Sequence, residues 1–338
     1  MFIRSLKIEN FKSIESVEIG LKRVNVLIGE PGSGKSNVLK ALGILSFIAH
    51  GGEFTDYVRA EKPLDLFHLF AADREILVEA SCEEVGTITL RGRAKDLNTV
   101  VFTLKVGEGY EYEVLRLERQ EYMGRINVKI SALGDVKEML SPIKFYRFFP
   151  QTVPEATGKL YLEPPRGRNI LQLIKANSSL RRVIVNLLQG LKYKLKIDLT
   201  KEEVGFYKEI DGLIIEMPYN LLSDTIQRVM FFLAAIKTNK DSVITMEEPE
   251  AHAYPFYTKF LAEVIARRKE NQYLISTHNP YFLETIIEKT PLDELAVFAC
   301  TLEHGRIKLT PLDSEVLEQI LGGEIDVLID IKQALRAE

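Results

Sequence analysis

A chain of 338 residues, 46% of them hydrophobic, can bury one large core or two ordinary ones without covalent staples. Its two cysteines, Cys82 and Cys300, form no CxxC or zinc-ligand spacing, which argues against a disulfide framework or a cysteine metal site and fits buried thiols in a reducing compartment. A net charge of -4 neither demands nor forbids a nucleic-acid partner, because a local basic groove can sit within a mildly acidic total.

The first eleven residues carry Arg4, Lys7 and Glu9 among their apolar positions, so they lack the unbroken apolar stretch of a secretory signal. The longest apolar run, 229–236, falls far short of the roughly 20 residues that cross a bilayer. The expectation is a cytoplasmic protein with no membrane partner. Short strands are predicted at 6–8, 17–19 and 24–28, the last ending in a glycine-rich turn after which Val38, Leu42 and Leu45 recur at helical spacing. From 74 to 131 the pattern alternates in the manner of strands, at 76–80, 87–90, 100–104 and 110–115, which predicts an antiparallel β layer. Residues 143–149 are strand-like, 168–191 helical, and 204–217 a hairpin around Asp211-Gly212. The last third alternates: helix from Ser223, strand 243–246, helix from Phe256, strand 273–276, helix from Pro280. That alternation predicts an α/β fold whose parallel sheet is flanked by helices.

The segment Gly29-Glu30-Pro31-Gly32-Ser33-Gly34-Lys35-Ser36 fits G-x-x-x-x-G-K-[ST] and lies between a predicted strand and a predicted helix, the setting in which that pattern holds phosphate. Glycines let successive N–H groups surround phosphate oxygens, and the following helix turns its positive end toward them. Lys35 is then expected to neutralise the β and γ phosphates, and Ser36 to offer its hydroxyl to Mg2+. A GTPase is the first rival. The segment Asn239-Lys240-Asp241-Ser242 has Ser242 where a guanine-reading carboxylate would stand, so ATP is the expected nucleotide.

The apolar strand 243–246 delivers Glu247-Glu248-Pro249-Glu250-Ala251-His252 at its carboxyl end, where ligands sit in open α/β sheets. Adjacent strand residues point opposite ways, so Glu247 is assigned to magnesium and Glu248 to the water that attacks the γ-phosphate. A solvated charge run is the ordinary reading of three nearby glutamates. The strand 273–276 ends in Thr277-His278-Asn279-Pro280, and His278 is assigned to the γ-phosphate or the attacking water, although a histidine there by itself is more often structural. Glu250 and His252 have no third ligand at suitable spacing, and no zinc site is expected.

The order of these motifs resembles the ABC-type ATPase heads of the SMC, RecF and OLD families, as do Ile8-Glu9-Asn10-Phe11-Lys12-Ser13 and Gly34-Lys35-Ser36-Asn37. The resemblance implies a P-loop ATPase head over 1–338, with an N-terminal lobe 1–150 and a C-terminal lobe 151–338. It adds Lys12, Ser13 and Asn37 to the ATP-binding residues 29–36. It implies that Ser223, before a helix where it also suits an N-cap, meets the γ-phosphate held by another copy, so that ATP bridges a homodimer. The glycines usual after that serine are replaced by Asp224-Thr225-Ile226. Gln151 resembles a glutamine that links Mg2+ to the neighbouring lobe. The chain shows no heptads for a coiled coil, and the segment after His278 is too short for a Toprim nuclease, so the expectation is a head by itself. Two roles stay open: an ATPase of DNA repair or genome maintenance, with arginine pairs 166/168, 181/182 and 267/268 as phosphate contacts, and a defence-type or partner-regulated switch that does not touch DNA.

Overall fold

The computed structural model describes residues 1–120, 126–150, 152–198, 203–303 and 306–325. Strands β1 (Ile3–Phe11), β2 (Ile14–Gly20) and β3 (Val24–Ile28) lead through the glycine loop into helix α1 (Lys35–His50) and the short α2 (Phe54–Tyr57). An antiparallel run follows, β4 (Ile76–Cys82), β5 (Gly86–Ala94), β6 (Thr99–Val106), β7 (Tyr112–Arg119) and β8 (Ile126–Ile130). After α3 (Gly134–Leu140) and β9 (Ile143–Tyr146) come α4 (Ile170–Ala176), α5 (Ser178–Gly190) and the strands β10 (Lys194–Asp198), β11 (Glu203–Ile210) and β12 (Leu213–Met217). The last part alternates: α6 (Asp224–Thr238), β13 (Val243–Glu247), α7 (Pro255–Arg267), β14 (Gln272–Ser276), α8 (Pro280–Lys289), β15 (Leu295–Glu303), β16 (Arg306–Pro311) and α9 (Ser314–Gly322).

Strands β3 and β14 are buried at every position, the signature of a sheet covered on both faces. They lie at the centre of a six-stranded sheet of order β16-β15-β3-β14-β13-β9, parallel except for β16. Alternate residues feed opposite cores: Val26, Met246 and Ile275 join one with α6, α7 and α8, while Leu27, Val243 and Leu274 join another with α1 and the antiparallel layer. That layer is a seven-stranded sheet of order β2-β1-β4-β5-β6-β7-β8. The central sheet draws strands from both ends of the chain, since β3 lies between β14 and β15.

Local chemistry accounts for the element ends. Asn279 accepts from Phe282 N–H and Pro280 opens α8, and Asp313 accepts from Val316 N–H at the start of α9. Asp211 and Gly212 both have positive φ, the two-residue turn that matches strand twist in the hairpin β11–β12. The single helix expected over 168–191 is two helices. Asn177 leaves the helical region and its side chain accepts from Leu180 N–H, which starts α5 anew.

Candidate nucleotide-hydrolysis site

The glycine loop turns at the carboxyl edge of the central sheet. Gly29 has φ +149°, and a Cβ there would lie 2.3 Å from the carbonyl oxygen of Cys300 on the neighbouring strand. Gly34 has φ +91°, and a Cβ would overlap the Ile307 side chain. Both positions require glycine. Lys35 folds back into the loop, where Nζ donates to the carbonyls of Gly29 at 2.6 Å and Glu30 at 2.9 Å. Burial lowers the pKa of its ammonium, and negative charge at Glu248 works the other way, so the carboxylate's field reaches the lysine. The first turn of α1 carries no acidic residue and no side-chain cap, which leaves the N–H groups of Lys35 and Ser36 available to an anion, while that of Asn37 donates to the Gly34 carbonyl at 2.9 Å. The Ser33 hydroxyl is buried in the loop without a hydrogen-bond partner.

The turn between β1 and β2 closes one flank. Asn37 Nδ2 donates to Ser13 Oγ at 2.5 Å, and Ser13 Oγ would stand 3.1 Å from a Cβ on Gly34. Lys12 adopts positive φ and its Nζ donates to the Arg59 carbonyl at 2.6 Å. Burial, with the charge of Lys40 added, pushes the Lys12 ammonium down to about 8. The structure therefore brings Ser13 and Asn37 together beside Gly34 of the loop, whereas the Lys12 ammonium is turned to the Arg59 carbonyl.

The parallel register sets the other flank. Glu247 pairs with Ser276, and Ser276 with Leu27, so the ends of β13, β14 and β3 are level. The two glutamates were expected to diverge as neighbours on a strand. In fact the strand ends at Glu247, and Glu248 takes the left-handed conformation at φ +45°, which turns the chain out of the sheet. Glu247 Oε2 lies 3.4 Å from Arg147 Nε in an ion pair without hydrogen-bond geometry. Its charge also acts on Lys40 in α1, whose ammonium burial pushes down. Glu248 Oε1 instead faces His278 Nδ1 at 3.3 Å. Positive φ at a non-glycine residue is backbone strain of about 1–3 kcal/mol, and here it separates the partners of two adjacent carboxylates.

Helix α6 reaches the same loop. Arg228 Nη1 donates to the Glu248 carbonyl at 3.3 Å with its guanidinium over the Phe148 ring at 4.7 Å, and Thr225 Oγ1 donates to the His252 carbonyl at 3.0 Å. Ser223 stands exposed at the N-cap of α6, the position expected of it, but its hydroxyl makes no capping bond. Glu250 turns inward and His252 outward, so the two do not form a pair. Gln151 lies outside the described residues. Arg147, Lys40 and Arg228 were not singled out from sequence, because each is an ordinary basic residue until the register of β9 against β13 and the packing of α1 and α6 converge on the glutamates.

Two family models match in succession, one described as "AAA ATPase domain" over residues 1–141 and one as "AAA domain, putative AbiEii toxin, Type IV TA system" over 147–284. The Pyrococcus furiosus Smc head domain, solved with an extended coiled coil and bound to the C-terminal domain of ScpA, superposes over 96% of this chain and 99% of its own with a TM-score of 0.54 and 13% identity. The chain has the fold of an SMC head domain. Among curated proteins, the head is 33% identical over 85 residues to the DNA replication and repair protein RecF of Azobacteroides pseudotrichonymphae. It is 27% identical over 142 residues to RecF of Bacillus mycoides. These matches cover 24% and 40% of the head and 23% and 32% of the relatives, so the chain spans about a quarter to a third of their length. No helix among the described residues is long and apolar enough to cross a membrane.

The donor set at the head's sheet edge suits a hard divalent cation. Glu247 Oε2 is a carboxylate oxygen without a hydrogen bond, and Ser36 offers a hydroxyl from the first turn of α1.

Proposed function

We propose that the head binds ATP on the loop 29–36 and hydrolyses it to ADP and phosphate. The observation that carries this reading is the Glu248–His278 pair, 3.3 Å apart at the same sheet edge as a phosphate-loop lysine that feels the charge of Glu248. Lys35 neutralises the phosphates once its two carbonyl partners release it, and the open N–H groups of α1 receive their oxygens. Glu248 takes a proton from the attacking water, and His278 holds that carboxylate and the γ-phosphate in register. Glu247 and Ser36 would hold Mg2+, which when bound offsets charge on the β and γ phosphates. Lys12, Ser13 and Asn37 line the flank toward the rest of the nucleotide.

The exposed Ser223 is read as the contact to nucleotide held by a second copy, which makes ATP the bridge of a homodimer. The RecF relatives are named for DNA replication and repair, and this supports work in genome maintenance. A cytoplasmic setting follows from that role. A second reading, a partner-regulated switch without direct DNA contact, has its own support. Arg166 is held by Asp56, Arg168 by Glu155, Arg267 by Glu263 and Arg268 by Glu270, which leaves these cations partly neutralised. The matched toxin-type family description and the ScpA-bound Smc head point the same way.

Steady-state ATP turnover measured with and without single- and double-stranded DNA, at several salt concentrations, separates the two. Stimulation that fades as salt rises supports genome maintenance, since electrostatic DNA binding weakens with salt. Turnover indifferent to both DNAs rejects direct DNA coupling, and the absence of any turnover rejects the ATPase reading.

A further inference from the structure

Between the strand ends that carry Glu248 and His278 lies a carboxyl group with no part in the chemistry above. Glu250 is 2% exposed. Its Oε1 accepts from Thr277 Oγ1 at 2.5 Å. The Thr277 hydroxyl in turn accepts from the Asn279 N–H at 3.1 Å. Residues 277 and 279, on either side of His278, are thus tied, directly or through one hydroxyl, to a single buried carboxyl. Its Oε2 makes no hydrogen bond. The charged groups that act on it are Glu248 and, from α6, Arg228, and burial raises its pKa to about 7.

A side chain whose only task was to fill this space would be more stable as an apolar group of similar volume, because burying a carboxyl with one oxygen unsatisfied is unfavourable. What the carboxyl supplies is direction. The His278 ring is half exposed, and Glu248 is the acidic group it meets, so the peptide beneath largely sets where the imidazole points. Glu248 is itself on a strained turn, followed by the Ala251 N–H donating to its carbonyl at 3.1 Å. The carboxyl of Glu250 therefore ties the turn after β13 to residues 277 and 279, which flank His278 after β14.

We infer that Glu250 is a positioning residue, which through Thr277 holds the segment that carries His278 so that the imidazole meets Glu248. The inference rests on the proposal that Glu248 and His278 act in ATP hydrolysis.

The test is a double-mutant cycle on the full chain, with kcat from ATP turnover and affinity from equilibrium ATP binding. Glu250→Ala should lower kcat by about 10- to 100-fold while ATP affinity stays within about threefold, because the phosphate loop is untouched. Glu250→Gln, which keeps an oxygen acceptor in place, should recover most of that loss. In a His278→Ala background, Glu250→Ala should lower kcat by less than about twofold further, since the ring it positions is gone. Thr277→Val, which removes the tie and keeps the volume, should repeat this pattern and serves if Glu250→Ala unfolds. An equal loss in both backgrounds, or a Gln variant as impaired as Ala, overturns the inference and leaves the ATPase reading standing. Full turnover in His278→Ala overturns both the inference and the role given to His278, whereas the site assignment to the phosphate loop is tested separately by Lys35→Ala.

Discussion

Lys35 is held by two backbone carbonyls inside a loop whose Gly29 and Gly34 admit no side chain, so its ammonium is the charge already aimed at the loop's interior. Lys35→Ala should weaken ATP binding by at least about 100-fold in calorimetry, through loss of a charge-assisted contact; unchanged affinity would remove the site from this loop. Glu248→Gln keeps the shape of the carboxylate but not its basicity. Binding should survive and turnover should fall by about 10²- to 10⁴-fold, and retained turnover would mean that another group activates water. Lys12 gives the site a pH dependence. Its free-state ammonium is lowered to about 8 by burial and the charge of Lys40, with Asp65 opposing. Below pH 8 the lysine is already charged and affinity for an anion should be flat. Above pH 8 it is neutral, binding must take up a proton, and the dissociation constant should rise by up to about tenfold per pH unit. Lys12→Arg stays charged and should be flat from pH 7 to 9. A wild type equally flat across that range would show that Lys12 does not meet the nucleotide.

Strands 24–28, 243–246 and 273–276 were legible because each is an apolar run ending in polar chemistry, and the structure extends each by at most one residue. Strand β15 is just as apolar but was not read, since 295–303 has no alternation and its place beside β3 is a long-range pairing that no local pattern encodes. Likewise Lys35, Glu247, Glu248 and His278 stood out by motif, whereas Arg147 reaches Glu247 only because Tyr146 pairs with Met246 and brings the next residues side by side. The same strand β9 buries a lysine. Lys144 Nζ donates to Ser242 Oγ at 3.1 Å and lies over the Tyr161 ring at 4.1 Å, with its ammonium pushed down to about 8 by burial and the charge of Lys159. Because the folded pKa lies below the unfolded value, the unfolded chain binds more protons between about pH 8 and 10.5, and Lys144 makes stability rise with pH in that window. Lys144→Met removes the charge and keeps the length. The stability difference between the Met variant and wild type in urea unfolding should be constant below pH 8, then shift toward wild type by up to about 1.4 kcal/mol per pH unit up to pH 10. A difference that stays constant throughout would mean that Lys144 is not charged against its burial.

At the scale of the whole molecule, helix α6 links an exposed end to the turn that carries Glu248. Ser223 and Asp224 are exposed at its start, Thr225 is fastened to the carbonyl of His252, and one further turn along Arg228 is fastened to the carbonyl of Glu248. The rest of the helix is buried, with Met230 to Ile236 packed on all sides, so it is built to move as a rigid rod rather than to bend. On the proposal that nucleotide held by a second copy presses on Ser223, it would act on the backbone of Glu248 through Arg228 and on that of His252 through Thr225, and so would couple closure of a dimer to turnover. Glu248→Gln, which retains ATP, should accumulate as a dimer in ATP and return to monomer on exchange into ADP, as read by light scattering after size exclusion. Adding Ser223→Arg should leave the chain monomeric in ATP with monomer affinity within about twofold of the parent, because the substituted side chain lies outside its own phosphate loop and places bulk and charge at the contact. Should that double variant still dimerise in ATP, the bridge between copies lies elsewhere on the surface, and α6 would carry no signal from a partner's nucleotide to Glu248.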